Sequence, residues 1–121
     1  MTKSRHETDG LDAAVRIGKA LDHPLRVRAL AVLRDRELCV CELTELFGLA
    51  PSTVSKHMAV IADAGLAERR RRGKWTYYSL PGNPGPAAAR ALALVESSVE
   101  GDPVVRDDRS RVPRIHCPTE E

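Results

Sequence analysis

Two thiols lie two positions apart in the run Glu37-Leu38-Cys39-Val40-Cys41-Glu42-Leu43, and a third, Cys117, lies near the end of the chain. Thiolates are soft ligands that select thiophilic ions over magnesium or calcium. Cys39 and Cys41 are too close in sequence to bridge each other without strain, and three cysteines, an odd count, argue against a disulfide framework. Ion binding, thiol oxidation, or a plain role as small buried apolar residues remain. An ion that prefers three sulfurs in a pyramid takes two from Cys39 and Cys41 and has only Cys117 for its third. The 18 residues from Val99 to Cys117 reach up to ~60 Å when extended. That length lets either subunit of a dimer supply the third thiol, at roughly millimolar effective concentration. His116 beside it reads as an exposed tail histidine.

A second chemistry lies downstream. Net charge is only +2, but the segment Pro51 to Ser79 alone carries +4. An excess gathered in one stretch marks a nucleic-acid footprint more than a uniformly basic protein. Within it, Ser52, Thr53, Ser55, Lys56 and His57 open one helix, and Arg69, Arg70, Arg71, Arg72 and Lys74 follow on a hairpin. Short hydroxyls with a cation can touch base edges and phosphates alike. Taken singly, a Ser/Thr-rich helix start is a cap and a basic run is a solvated face. In this order and spacing they point to DNA: Ser52, Thr53, Ser55 and Lys56 outward, His57 at the side of that face, and Arg70, Arg72 and Lys74 on the backbone.

The elements that must position these groups follow from periodicity and turn chemistry. Residues 1–10 show no apolar period and read as a flexible arm. Leu11, Ala14, Val15, Gly18 and Leu21 form a helical stripe. Asp22 and Pro24 suit the cap and first turn of a second helix carrying Val27, Leu30, Ala31 and Leu33. A brief helix through Leu43, Leu46 and Phe47 ends at Gly48. Pro51 opens the next, with Val54, Met58 and Ile61 buried, and Gly65 stops it. So short a gap forces a steep crossing, as in a helix-turn-helix. Ala67–Arg70 and Trp75–Leu80 then read as strands around a Gly73 turn. Past a Pro/Gly linker, Ala87 to about Val99 forms an Ala/Leu helix. Residues 100–121 hold three prolines and many charges and read as a flexible tail.

The fold class is therefore mainly α with a small β-hairpin, a winged helix-turn-helix over residues 11–99. A chain of 121 residues with four Phe, Trp or Tyr side chains has a thin core. One monomer also contacts too few phosphates to bind well at cellular salt. Both facts favour a homodimer joined through the first helix and the Ala/Leu helix. No apolar run approaches a membrane span, and the polar start lacks a signal core, so a cytoplasmic protein with no membrane partner is expected. Neither a phosphate-type loop nor a substrate pocket is evident, which argues against an enzyme.

Glu37-Leu38-Cys39-Val40-Cys41-Glu42-Leu43, Pro51-Ser52-Thr53-Val54-Ser55-Lys56-His57-Met58 and Gly73-Lys74-Trp75-Thr76-Tyr77-Tyr78 together resemble the ArsR/SmtB family of metal-sensing repressors. The cysteine run is most similar to its arsenic-responsive branch. The resemblance covers about Leu11 to Val99. It implies a homodimer that binds operator DNA, blocks transcription and lets go when metal binds. The arsenic motif usually has a further Cys where Thr44 stands here, and the usual capping Ser before the reading helix is Ala50. Glu96 and Glu100 alone do not make the dimer-helix metal site of zinc-sensing members.

The expected inducer is trivalent arsenic or antimony, As(III) or Sb(III), on Cys39, Cys41 and Cys117. Alternatives are a Cd(II)- or Pb(II)-responsive repressor and a thiol redox sensor. Helical residues two apart point about 200° apart, whereas in an extended segment they share a face. Metal on both thiols is thus expected to compete with helical structure at residues 40–42.

Overall fold

The computed structural model describes the backbone over residues 5–115 and side chains from Gly10 onward. Helix α1 (Arg5–Ala20) starts six residues before the Leu11 stripe, so residues 5–10 continue a helix where an arm was expected. Once a turn is nucleated, each added residue extends the helix at little cost, even without an apolar face. Helix α2 (Pro24–Leu33) has Pro24 in its first turn. Its cap is His23, not Asp22: His23 Nδ1 accepts the Leu25 amide at 3.1 Å. Leu25, Ala29, Leu30, Ala31, Val32 and Leu33 are all buried, more than one face of a helix, because α2 runs through the middle of the molecule.

Strand β1 (Leu38–Cys39) leads into α3 (Val40–Phe47), and Gly48 ends α3 at φ +68°. Helix α4 (Pro51–Asp63) follows three residues later and stops before Gly65, at φ +79°. Both glycines occupy left-handed positions that cost other residues ~1–2 kcal/mol, which sharpens the two turns around α4. Strands β2 (Glu68–Arg72) and β3 (Trp75–Ser79) form the hairpin. Arg72 pairs with Trp75 across Gly73 and Lys74, and Gly73 has φ +61°, as a two-residue hairpin turn with glycine first requires. β1 adds to the far side of β3, giving an antiparallel sheet in the order β1-β3-β2.

The core lies where these elements meet. Val54, Met58 and Ile61 of α4 sit against Leu43 and Leu46 of α3, Leu30 of α2, and Tyr78 of β3. Burying each such side chain contributes roughly 1.5–3 kcal/mol, so α4 is pinned along its length. Helix α5 (Pro86–Val99) lays Ala88, Ala91 and Val95 on the same core.

The chain beyond Val99 departs from expectation. Residues 103–114 form helix α6 (Pro103–Arg111) and a 3₁₀ turn (Val112–Arg114), docked on the rest of the domain. Asp102 caps α6 by accepting the Val104 and Val105 amides. Asp108, 1% exposed, takes a forked bond from Arg28 of α2 at 2.8 and 2.9 Å. Arg109 donates to the Ala31 carbonyl and to Glu96, and Arg111 to the Leu46 carbonyl. Val105 packs with Ala31 and Val99, and Val112 joins the main core, but ion pairs and backbone contacts fill the face between these two valines, so no apolar period marks the helix.

Candidate nucleic-acid interface and thiol site

On α4, burial of Val54, Met58 and Ile61 turns Ser52, Thr53, Ser55 and Lys56 to solvent. These four stand where the sequence placed them. His57 does not stand out with them. Its ring lies half-buried, 4.4 Å from the His23 ring, and its Nδ1 is 3.0 Å from an Arg26 guanidinium nitrogen. Arginine only donates, so Nδ1 accepts and His57 is neutral with its proton on Nε2. Arg26 also donates to the Ala20 and Lys19 carbonyls at 3.0 and 2.9 Å. Arg26 thereby ties the end of α1, the start of α2 and the reading helix into one joint. Burial, then His23 and Arg26, holds the His57 pKa below its ordinary value.

The hairpin sorts its cations by strand parity. Directly opposed residues of an antiparallel pair project to one face, and Arg70 and Arg72 oppose Tyr77 and Trp75. That face also carries Cys39, which opposes Tyr77 across β1. Glu37 engages both guanidiniums there: Arg70 at 2.6 Å and Arg72 at 2.9 Å. Arg72 also lies 4.2 Å over the Tyr77 ring. The two arginines singled out from the sequence are thus drawn onto an internal carboxylate. Lys74 sits at the turn, 5.6 Å from the Trp75 ring.

Arg69 and Arg71 project to the opposite face, with Tyr78 and Thr76. A cavity of about 280 Å³ lies there, lined by Ser55 of α4, Arg69, Arg71, Thr76 and Tyr78. These two arginines belong to the basic run seen in the sequence, but the expected contacts with the DNA backbone fell on Arg70, Arg72 and Lys74. Which alternate pair faces α4 depends on the hairpin register, and the signal was Tyr78: the side chain buried toward α4 sets the parity of its neighbours.

Cys39 closes β1 and caps α3 with extended backbone (φ −89°, ψ 164°), while Cys41 lies in the first turn of α3. Their sulfurs are 3.2 Å apart. The extended backbone at Cys39 lets the two sulfurs approach beside an intact first turn of α3, so the helical offset expected from the sequence does not hold them apart. The 200° offset applies only when both residues are helical, and an extended cap residue swings its side chain round to meet the next one but one. Glu42 secures this geometry: one carboxylate oxygen accepts the Cys39 amide at 2.8 Å, and the other accepts from Arg36 at 2.7 Å. Cys39 is 1% exposed and clusters with Tyr77, Trp75 and Cys41. Burial pushes its thiol pKa up, the nearby Glu42 amide opposes, and the Glu42 carboxylate adds to the rise.

Cys117, the expected third ligand, lies outside the described residues. Among the described residues, no three His, Cys, Asp or Glu side chains gather as a metal cluster. Glu96 is committed to Arg34 and Arg109. The hydroxyl of Thr44, where the motif has its further Cys, is buried with no hydrogen-bond partner among the described residues. Among the described residues, no helix is long and apolar enough to cross a membrane.

Residues 23–69 match the family described as "Bacterial regulatory protein, arsR family". The arsenic resistance transcriptional regulator ArsR1 of Pseudomonas putida is 38% identical over 84 residues, covering 68% of this chain and 66% of that protein. The chain belongs to the ArsR/SmtB family. Another curated member, a homologue of the cadmium resistance regulatory protein CadC from Staphylococcus aureus, is 36% identical over 66 residues, 54% of each chain. The match thus spans from about half to two-thirds of the length of these relatives. Among solved structures, a homodimeric winged helix-turn-helix DNA-binding domain from Mycobacterium bovis superposes with a TM-score of 0.64 at 29% identity, covering 85% of this chain and 93% of that one. In this ArsR/SmtB chain the family match holds Cys39, Cys41 and all of α4, and ends at Arg69.

Proposed function

We propose that this ArsR/SmtB chain is a cytoplasmic, non-enzymatic transcriptional repressor that binds operator DNA as a homodimer and releases it when trivalent arsenic or antimony binds Cys39 and Cys41. The observation that carries the reading is the 3.2 Å approach of the two sulfurs at the head of α3, the helix packed against α4. Cys117 is proposed as the third sulfur. Ser52, Thr53, Ser55 and Lys56 are the proposed contacts of α4 with DNA, and Lys74 that of the hairpin tip.

Burial of Cys39 favours the metalloid over a divalent cation. Arsenite is the neutral trihydroxide at neutral pH. Each new S–As bond expels one hydroxide, which leaves as water with the thiol proton, so no proton passes to solvent. Cadmium or lead must drive the proton off a thiol that burial protects. Cys39 also pairs with Tyr77 across the sheet. A ligated ion that draws Cys39 and Cys41 toward a third sulfur therefore pulls on the hairpin as well as on α3. Both movements reset α4 and the hairpin relative to the DNA.

The test follows operator release and sulfur-to-metal absorbance together, in reductant, with arsenite, antimonite, cadmium and lead. Arsenite and antimonite are expected to release DNA with little change between pH 6.5 and 8. Cys39→Ser and Cys41→Ser should bind DNA like the parent and lose release by at least tenfold in arsenite. Cys117→Ser should weaken the response. Release by cadmium alone, steepening with pH, establishes the divalent-ion reading instead, and release by peroxide alone establishes thiol oxidation.

A further inference from the structure

We propose that the cavity between α4 and the hairpin is a seat for one phosphodiester group of a nucleic-acid backbone, and that Arg69 and Arg71 are the hairpin's phosphate-binding cations. The assignment rests on the DNA-binding reading above and adds to it a ligand subsite with its own residues.

Three observations meet at this place. First, charge: Glu37 holds Arg70 and Arg72 at 2.6 and 2.9 Å. A phosphate approaching that face meets a carboxylate along with the two guanidiniums. Arg69 and Arg71 have no carboxylate within ion-pair distance among the described residues; Arg69 lies 3.4 Å from the Tyr78 hydroxyl and Arg71 3.3 Å from the Gly73 carbonyl. Their charge is available to an incoming anion. Second, donors: Ser55, Thr76 and Tyr78 add three hydroxyls to the lining. Guanidiniums combined with hydroxyls are the set that bonds phosphate oxygens. The Tyr78 contact also holds Arg69 toward the cavity before any ligand arrives.

Third, place: Ser55 belongs at once to this lining and to the solvent face of α4. A group seated here is therefore continuous with whatever α4 reads. About 280 Å³ accepts a single phosphate with a few waters, each occupying about 30 Å³, and not a base pair. The seat would fix the register of α4 on the duplex and carry no sequence information, as backbone contacts do.

The experiment measures affinity for a random-sequence 30-base-pair duplex across salt concentrations, by fluorescence anisotropy, on the full chain. Each phosphate contact contributes about 0.9 to the slope of log K against log salt. Arg69→Gln/Arg71→Gln should lower the slope by about 1 per seat. Arg70→Gln/Arg72→Gln should lower it by less than half as much, and Ser55→Ala should weaken binding a few-fold. Circular dichroism and thermal melting confirm that each variant is folded. Equal slope changes in the two arginine pairs, or none in the Arg69/Arg71 pair, overturn the assignment. So does competition by inorganic phosphate at constant ionic strength with the slopes unchanged, which marks a seat for a free anion. A parent protein that binds no duplex even at low salt sinks the DNA-binding reading itself, a distinct result.

Discussion

The joint at His57 couples protonation to the position of the reading helix. His57 accepts from Arg26 through Nδ1 and lies with its ring tilted against that of His23. Protonation would remove the acceptor and set a cation against a guanidinium. The pKa of His57 in the folded chain lies below the ordinary 6.5. Above 6.5 both folded and unfolded chains keep the ring neutral, and its contribution to stability is complete. As pH falls through 6.5 the unfolded chain takes up the proton first, so stability drops until the folded ring titrates as well. Urea unfolding at pH 7.5 and 5.5 should show a loss in the parent, and a smaller one in His57→Gln. An equal loss in both places the acid sensitivity elsewhere. At this same scale, a residue's type was easier to read than its direction. The cysteines and the basic run stood out, but the capping role of Cys39 and the inward turn of His57 depend on neighbours far away in the chain.

At the scale of elements, α6 shows how a helix can dock with a buried carboxylate, Asp108, between two buried valines, Val105 and Val112. The Arg28–Asp108 pair joins α2 to α6 with Asp108 almost fully enclosed. Removing one partner of a buried pair strands the other charge and costs about 3–5 kcal/mol. Because Arg111 also reaches Asp108 at 3.2 Å, Arg28→Met should cost about 3 kcal/mol, the low end. Denaturant titration measures this, and exchange of the α6 amides should rise first. A loss below 1 kcal/mol would mean that α6 is held by its other contacts. The contrast with α3 and α4 explains what could be read in advance. Gly48, Pro51 and Gly65 are local signals whose meaning does not depend on the rest of the fold, and the stripe Val54-Met58-Ile61 identifies its own buried face. Helix α6 and the hairpin parity are settled by partners 80 residues away for Asp108 and across a sheet for Arg69, and periodicity carries neither.

At the scale of the whole molecule, the apolar stripe of α1 is covered at Leu21 but lies open toward its N-terminal half among the described residues. Leu11 and Val15 are 76% and 50% exposed, and Leu94 of the neighbouring α5 is 57% exposed. Ala14 and Gly18 on the same stripe are exposed too. A run at i, i+3, i+4 and i+7 that faces solvent calls for a second apolar surface, and two-fold symmetry supplies one from an identical chain. The same symmetry makes each substitution count twice. Burying one Leu or Val contributes roughly 1.5–3 kcal/mol, so Leu94→Glu should weaken the dimer by about 3 kcal/mol or more, roughly 150-fold. Sedimentation across a concentration series reads this directly. Because a monomer presents one α4 and one hairpin, DNA affinity should fall with dimer content and recover at high protein concentration. A Leu94→Glu protein that stays dimeric at the parent's concentrations would place the subunit contact on another face, and α1 and Leu94 would then need a different partner.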